Sequence, residues 1–332
     1  MNWIQKKLQS FVEKAKQTFK RERPSRKDQD DSMWINCPGC NQMLLKEDLK
    51  KNFNICKCTY HFDLDPKTRF SEMFFDDGEY ELINCPEWAD PDPLNFKIGD
   101  KKFIDKYNAY KKKTGQQSAI LVAKGTVNGL KIVAFGYNFQ HGGAALTQRE
   151  GEHLIVGIQT ALNEKVDAVV SFYQSGGMAV TGNLNSLKNM PVQMMAMKML
   201  KKAGIVTIGI CGSKITGGTF CNVYGNDFIF AECQKSENLL FAGKRVSASV
   251  NKGQELPQDF GQASSIVNHG MIDGAFDSRM EIREKITNLI RVLLKKAEIE
   301  AKAESTSNVK VCLLYTSPSP RDLSTSRMPS SA

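Results

Sequence analysis

Ala168-Val-Val-Ser-Phe-Tyr-Gln-Ser-Gly-Gly177 is the stretch that decides the fold of this 332-residue chain. Its first half, Ala168–Phe172, is a continuous apolar run with β-branched residues, which predicts a short buried strand. Leu184–Ala203 then predicts a helix with a methionine-rich face, and Ile205–Ile210 predicts another buried strand. A buried strand, a helix and a second buried strand in this order are typical of α/β domains with a parallel sheet.

The same alternation continues on both sides of this stretch. Asn128-Gly129 is a strong hairpin signal between two apolar runs, Ala119–Lys124 and Lys131–Phe139. The remaining predicted helices are Phe70–Phe75, Lys101–Lys113, Glu152–Asn163 and Arg279–Lys302, and the remaining predicted strands are Phe228–Ala231 and Leu239–Phe241. The sequence therefore predicts an α/β layered domain with much parallel sheet.

Three glycine pairs each lie in a connection that follows a predicted strand, and they are Gly142-Gly143, Gly176-Gly177 and Gly217-Gly218. Without side chains in the way, backbone N–H groups in such turns can point at a ligand, and a helix start adds a favourable dipole. Two converging N–H groups form an oxyanion hole, in which each donor contributes about 3–4 kcal/mol of transition-state stabilisation. The alternative for any single pair is a tight turn without a ligand.

Side chains suited to nucleophilic or acid–base catalysis are few. The chain has four histidines, no Gly-x-Ser-x-Gly motif and no P-loop. His141 adjoins Gly142 and is a candidate site residue, with a structural histidine as the alternative. His153 and His269 lie on helical patterns, which predicts structural roles for them. A mechanism that relies on backbone donors fits this composition.

Charge and composition restrict the classes of partner and the compartment. The net charge of +9 indicates nucleic acid or an anionic ligand such as a nucleotide or coenzyme A, with a solvated surface as the alternative. No apolar run of about 18 residues is present, so no membrane span is expected. Met1–Lys20 is amphipathic and lacks the apolar core of a signal peptide. Nine scattered cysteines fit a reducing compartment, so we expect a cytoplasmic protein.

Two cysteine pairs near the start, Cys37-Pro-Gly-Cys40 and Cys56-Lys-Cys58, predict a structural Zn²⁺ site. The second pair has only one intervening residue, so its backbone should be strained relative to the usual two-residue spacing. We predict Cys58 as the fourth ligand. His61 is the alternative, because two residues separate it from Cys58 and imidazole binds Zn²⁺ well.

The chain is predicted to have four parts. Residues 1–32 form a basic amphipathic helix and a polar linker, residues 33–62 a zinc ribbon, and residues 63–311 the large α/β domain. Cys312-Leu-Leu-Tyr-Thr-Ser-Pro-Ser-Pro-Arg-Asp322 resembles a translated sequencing adapter. We therefore expect residues 312–332 to be an artefact and exclude them from functional reasoning.

Taken together, these residues resemble the β subunit of bacterial acetyl-CoA carboxylase carboxyltransferase from about Met1 to Leu294. The four cysteines and His61 resemble its zinc ribbon. Other matching segments, in the right order, are Asp92–Phe96, Lys112–Gly115, Lys124–Gly129, Phe139–Gly143, Ser175–Gly177, Gly217–Gly218, Phe241–Gly243 and His269–Gly270.

The resemblance implies a crotonase-like fold of stacked ββα units. It also implies a heterotetramer of two α and two β subunits, in an ATP-dependent complex with biotin carboxylase and biotin carboxyl carrier protein. The implied reaction moves a carboxyl group from carboxybiotin to acetyl-CoA and gives malonyl-CoA for fatty-acid synthesis. The acetyl thioester must become an enolate first, and biotin that has lost its carboxylate would take the methyl proton.

Site residues follow from the same resemblance. Backbone donors of Gly142, Gly143, Gly176, Gly177 and Met178 would stabilise the enolate oxygen. The α subunit would supply the oxyanion hole on the biotin side. For the coenzyme A or acyl part of the substrate, the expected contacts are Gly217, Gly218, His141 and Arg245, and the basic surface suits the coenzyme A phosphates.

The chain also departs from the family pattern. The family's turn continues Ala-Arg-Met-Gln-Glu where this chain has Met178-Ala-Val-Thr-Gly182. One alternative is therefore a catalytically impaired scaffold whose zinc ribbon binds nucleic acid, with Trp34, Phe53 and Tyr60 available for stacking. Another is carboxyl transfer or decarboxylation on a different acyl-CoA.

Overall fold

The computed structural model describes residues 33–234, 239–240, 242–250, 257 and 259–306. The predicted helix and linker of residues 1–32 and the segment 312–332 lie outside these ranges. The chain divides into two compact units, Met1–Thr287 and Asn288–Ala332. The described part of the second unit is the continuation of one long helix.

The strands are β1 Trp34–Asn36, β2 Met43–Leu45, β3 Tyr80–Leu82, β4 Lys97–Ile98, β5 Lys101–Lys102, β6 Ile120–Val127, β7 Leu130–Tyr137, β8 Ala168–Ser175, β9 Val206–Thr216, β10 Phe228–Ala231, β11 Leu239–Leu240 and β12 Gly274–Ala275. The helices are α1 Lys46–Lys51, α2 Pro66–Thr68, α3 Phe103–Thr114, α4 Gln148–Glu164, α5 Leu184–Leu187, α6 Asn189–Lys202, α7 Thr219–Val223, α8 Lys244–Val250, α9 Ala263–Asn268 and α10 Ile282–Thr306. A π-helical turn follows α2, and 3₁₀ turns include Gly142–Ala144 and Val180–Gly182.

One eight-stranded sheet forms the centre of the large domain, in the order β12-β10-β9-β8-β7-β6-β3, with β11 paired to β9. β7, β8, β9, β10 and β12 are parallel, whereas β6 and β3 extend one edge antiparallel. The predicted α/β architecture with a largely parallel sheet is confirmed. Because carboxyl ends of parallel strands share one edge, the loops after β7, β8 and β9 leave the sheet together.

The predicted hairpin between the two apolar runs is confirmed. Asn128 and Gly129 join β6 to β7 with φ values of 49° and 79°. Both values are in the left-handed region that a two-residue type I′ turn requires. This turn sets the register in which Ile120, at the start of β6, pairs with Tyr137 at the end of β7.

Several predicted boundaries were wrong. The helix predicted over Leu184–Ala203 is two helices, α5 and α6, because Pro191 has no N–H to donate to the carbonyl of Leu187. The strand predicted over Ile205–Ile210 runs on to Thr216. The helix predicted from Lys101 begins at Phe103, because Lys101–Lys102 pairs with β4.

Both faces of the sheet are covered. On one face, α4 packs against α6 and against β6 and β7. On the other, Phe172 of β8 contacts Phe74 of the π-helical turn, with ring centroids 5.0 Å apart. Tyr173, the next residue along β8, points to the opposite face and contacts Tyr137 at 5.1 Å. Cover on two sides explains why every residue of β8 is buried.

A buried ion cluster joins the zinc ribbon to the large domain. Glu232 accepts from Arg69 at 2.6 Å and lies 3.2 Å from Nε of Arg279. Arg279 also donates to the carbonyl oxygens of Phe53 and Phe62, both at 2.8 Å. Burial alone would raise the pKa of Glu232, but Arg279 and Arg69 outweigh it and lower that pKa to about 2. The carboxylate is therefore ionised at neutral pH.

Candidate functional site

The first two glycine turns, 142–143 and 176–177, touch each other at the carboxyl edge of the sheet. The N–H of Gly176 donates to the carbonyl oxygen of Gly143 at 2.8 Å. Gly142 and Gly143 form a 3₁₀ turn with φ values of 63° and 75°, a conformation that favours glycine. A short parallel bridge between Leu146 and Met178 continues the contact beyond the turns.

The third turn, residues 217–218, packs against the second. A β-carbon on Gly177, whose φ is 102°, would lie 3.0 Å from the carbonyl oxygen of Thr216 and 3.4 Å from Cα of Gly217. A β-carbon on Gly218 would lie 2.7 Å from Cγ of Met178. The three glycine pairs, widely separated in sequence, therefore meet at one place in the fold.

Ser175 ties the three turns together, although residue patterns alone gave it no separate role. Its buried hydroxyl donates to the carbonyl oxygen of Ala144 at 2.6 Å. It accepts from the N–H of Gly177 at 3.0 Å and from the hydroxyl of Thr219 at 2.9 Å. Its position directly before Gly176 was the signal that marks it in the sequence. One hydroxyl thus makes a hydrogen bond to each of the three connections.

Most of the predicted backbone donors are already occupied. The N–H groups of Gly142 and Gly143 donate to Gln140 and Phe139, while those of Gly176 and Gly177 donate to Gly143 and Ser175. Within the described residues, the N–H of Met178 has no hydrogen-bond partner, because its neighbours Gly177 and Ala179 make the bonds of the bridge to Leu146. Of the five predicted donors, Met178 is the one left free for a ligand.

His141 supports the first glycine turn from within the protein. Its ring is 1% exposed, lies 5.1 Å from the ring of Tyr107, and its Nδ1 is 3.1 Å from the hydroxyl of Thr114. Burial lowers its pKa, so the ring is neutral at pH 7. The contact that we predicted between His141 and substrate stays a prediction.

Three histidine and arginine residues considered in the sequence analysis remain: His153, His269 and Arg245. His153 is buried and lies 3.0 Å from the hydroxyl of Ser118 and 2.7 Å from the carbonyl oxygen of Ile83, a structural role as predicted. His269 follows α9 and lies 2.6 Å from the carbonyl oxygen of Ser265. Arg245 belongs to α8, but its side chain is outside the described part of the chain.

The four predicted zinc-binding cysteines converge. Their sulfurs all lie within 4.8 Å of one another, with Cys37 and Cys58 at 3.6 Å and Cys40 and Cys56 at 3.8 Å. Four sulfurs about 2.3 Å from a tetrahedral Zn²⁺ are about 3.8 Å apart, so the arrangement fits the ion. Four thiolates without an open position hold a structural metal and leave no position for a substrate.

The short Cys56-Lys-Cys58 spacing is accommodated by a tight turn. Thr59 donates its N–H to the carbonyl oxygen of Cys56 at 2.8 Å and adopts a φ of 68°. A β-branched residue at positive φ is strained, whereas the strain predicted between Cys56 and Cys58 stays a prediction. His61 is not part of the metal-ligating cluster found among the described residues. It is buried beside Arg279 and Glu232, and burial, with Arg279, lowers its pKa to about 4.

Solved structures with the same fold include a transcarboxylase and a malonate decarboxylase. Transcarboxylase 12S aligns with a TM-score of 0.52 and 18% identity, over 68% of this chain and 40% of that chain. This chain thus spans about two fifths of the transcarboxylase chain. A Pseudomonas malonate decarboxylase hetero-tetramer aligns with a TM-score of 0.51 and 14% identity, over 74% of this chain and 90% of that chain. At these identities the likeness concerns the fold alone, and it confirms the predicted crotonase-like class.

Sequence comparisons identify the family. The "Acetyl-CoA carboxylase zinc finger domain" profile matches residues 34–58, and the "Carboxyl transferase domain" profile matches residues 92–322, which reaches into the predicted adapter segment. Acetyl-coenzyme A carboxylase carboxyl transferase subunit beta of Brucella ovis is 33% identical over 273 residues, 82% of this chain and 90% of that protein. The Brucella anthropi protein of the same name is 33% identical over 82% of this chain and 88% of its own length. The chain therefore belongs to the β-subunit family of the acetyl-CoA carboxylase carboxyltransferases.

Proposed function

We propose that this chain transfers a carboxyl group from carboxybiotin, on a carrier protein, to acetyl-CoA, and that malonyl-CoA is the product. The observation that carries the proposal is the convergence of three glycine turns on the unpartnered N–H of Met178. The names of the family and of its relatives support the choice of reaction and substrate. Transfer to another acyl-CoA remains the alternative, and competition between acyl chains of different length distinguishes the two.

The chemistry required of this chain is stabilisation of an enolate. When the methyl group of acetyl-CoA gives a proton to biotin that has lost its carboxylate, negative charge develops on the thioester oxygen. A fixed N–H aimed at that oxygen lowers the barrier without reorganisation, and the Met178 N–H is the donor we assign to it. Ser175 holds this peptide in place through the neighbouring Gly177 N–H. Carboxybiotin, when bound, supplies the carboxyl group.

Removal of the Met178 donor tests this assignment. Met178→Pro lacks the N–H, and we expect kcat of the complex with a matching α subunit to fall by about 10²–10³-fold. Met178→Leu keeps the N–H and about the same volume, so its kcat should stay within a few-fold of the unchanged protein. Both variants are assayed by malonyl-CoA decarboxylation in the presence of biotin. If a folded Met178→Pro protein keeps full activity, Met178 is not the donor.

An exposed apolar surface next to this site supports a partner subunit. Val180, Leu184 and Met195 are 86%, 73% and 70% exposed, although their side chains are apolar. Val180 lies in the turn two residues after Met178, and Leu184 and Met195 lie in α5 and α6, the two helices that follow this turn. We propose the α subunit as that partner, in a heterotetramer that works with biotin carboxyl carrier protein and biotin carboxylase.

A charge on this surface should prevent assembly. For Met195→Glu we expect affinity for the α subunit to fall by about 30-fold or more, as when an interface hot spot is lost. The matched control is Met43→Glu in the zinc ribbon, since Met43 is 66% exposed. Affinity is measured by titration calorimetry, and Tm of each isolated variant checks folding. Equal affinities for the two variants would place the interface elsewhere.

Two other predictions stay open. Of the proposed stacking residues in the ribbon, Trp34 is 50% exposed, whereas Phe53 and Tyr60 are half-buried. Nucleic-acid binding by the ribbon therefore stays a prediction. No described helix is both long and apolar enough to cross a membrane, and the cytoplasmic location also stays a prediction.

A further inference from the structure

Asp63, the first residue after the zinc ribbon, binds the two strands that lead into the second and third glycine turns. Asp63, just after the ribbon, accepts from Nζ of Lys214 at 2.8 Å and from the hydroxyl of Ser213 at 3.1 Å, both in β9. It also accepts from the side-chain amide of Gln174 in β8. One residue therefore links the end of the ribbon to the two strands that precede the second and third glycine turns.

The segment of β9 that Asp63 binds is strained. Lys214 has a φ of 73° inside a strand, and the pairing of β8 with β9 is irregular between Tyr173 and Ser175. A residue other than glycine in such a conformation is strained and persists only where surrounding contacts hold it. The contacts of Asp63 hold it here. Three residues later the chain enters the Gly217-Gly218 turn.

The same lysine also contacts the first glycine turn. Its ammonium lies over the ring of Phe139, 4.6 Å from the centroid. Phe139 in turn accepts the N–H of Gly143 at 2.9 Å through its carbonyl oxygen. Lys214 thus joins the carboxylate of Asp63 to the loop that carries Gly142 and Gly143, by an ion pair on one side and a cation–π contact on the other.

We propose that Asp63 and Lys214 are positioning residues of the carboxyltransferase site: together they hold the first and third glycine turns around the Met178 peptide. This inference rests on the function proposed above. It assigns no contact with substrate to either side chain. It also gives the zinc ribbon a role in the large domain, because Asn54 of the ribbon donates its side-chain amide to the carbonyl oxygen of Asp63 at 2.7 Å.

Because the Asp63–Lys214 ion pair is partly exposed, a positioning role can be distinguished from a contribution to folding stability. The side chains of Lys214 and Asp63 are 41% and 28% exposed. A partly exposed ion pair contributes little to stability, so its loss should not unfold the chain. Misplacement of catalytic groups by about 1 Å can lower a rate 10²-fold. We therefore expect the pair to matter for kcat rather than for folding.

The experiment uses the assembled complex and the variants Asp63→Asn and Lys214→Met. We expect kcat to fall about 10- to 100-fold in each, with KM for acetyl-CoA, zinc content and Tm nearly unchanged. Lys214→Arg keeps a cation for Asp63 and for the ring of Phe139, and should retain most of kcat. The matched control is Glu164→Gln, which removes a similarly exposed ion pair with Lys124 at 2.7 Å; its kcat should not change.

A second measurement does not depend on activity. Hydrogen–deuterium exchange should become about tenfold faster at the Gly143 and Gly176 amides in Asp63→Asn, and should be unchanged in Glu164→Gln. If the complex of the unsubstituted protein is inactive, the proposed function is contradicted. The exchange measurement would still test the positioning role in that case. Full kcat in Asp63→Asn and Lys214→Met, or unaltered exchange in Asp63→Asn, would overturn the inference. So would a Lys214→Arg protein as impaired as Lys214→Met.

Discussion

Cys58→Ser is expected to lose zinc and, with it, the folded ribbon. The four sulfurs of the cluster lie at the separations that a tetrahedral ion needs, and removal of one leaves three ligands. Zinc binding contributes about 10–16 kcal/mol to the folding of small zinc modules at pH 7, far more than a ribbon of this size gains from its own core. Zinc content is measured by atomic emission after gel filtration, and ribbon folding by exchange at the Cys56 amide.

His61→Ala is the matched variant, since His61 was the alternative fourth ligand. Its ring is buried beside Arg279, outside the four-sulfur cluster, so we expect full zinc content in this variant. A chelator should reproduce the loss seen in Cys58→Ser and leave the large domain folded. Retention of zinc by Cys58→Ser together with its loss from His61→Ala would reverse the assignment of the fourth ligand.

Glu232→Gln should destabilise the protein by about 3–5 kcal/mol. The substitution leaves Arg69 and Arg279 buried without the carboxylate that both contact. Because Arg279 also holds the carbonyl oxygens of Phe53 and Phe62, the ribbon should separate from the large domain as well. The free energy of unfolding is obtained from urea denaturation of the isolated chain. A loss below about 1 kcal/mol, as for an exposed ion pair, would show that the cluster contributes little to stability.

The Glu232 carboxylate also makes the free energy of unfolding depend on pH. Its pKa in the folded state, about 2, is below the ordinary value of 4.5, so the folded state binds its proton less readily than the unfolded state. The stabilisation is therefore complete above pH 4.5 and is lost as the pH falls from about 4.5 to about 2. In Glu232→Gln, the free energy of unfolding should depend less on pH between about 4.5 and about 2. Glu152→Gln, at a partly exposed pair with Lys188, should not show this change.

The large α/β domain was predictable from local patterns. Continuous apolar runs such as residues 168–172 mark strands that are covered on both faces, and Asn128-Gly129 marks a turn that few other residues can form. Boundaries were less predictable. The strand predicted to end at Ile210 continues to Thr216 through an irregular segment, contacted by Asp63, that no local pattern reveals.

The candidate site was predictable only in part. The glycine pairs were visible because backbone that turns sharply past a strand needs residues without side chains. Their hydrogen bonds were not visible. The N–H groups of Gly176 and Gly177 donate to Gly143 and Ser175. Among the five predicted donors, all within the described residues, only the N–H of Met178 is therefore left for a ligand. Which acceptor takes each of these N–H groups depends on which segments of the chain pack together in the folded protein.

The sequence by itself predicted three of the zinc-binding cysteines, with Cys58 or His61 as the fourth ligand, and the parallel α/β architecture. Each of these depends on residue types at short spacing, where chain geometry leaves few alternatives. Only the tertiary structure decided which N–H stays free, that Ser175 joins three turns, and that Asp63 connects the ribbon to Lys214. Those contacts join residues up to 151 positions apart in the chain, and their energies depend on burial and orientation that no local pattern contains.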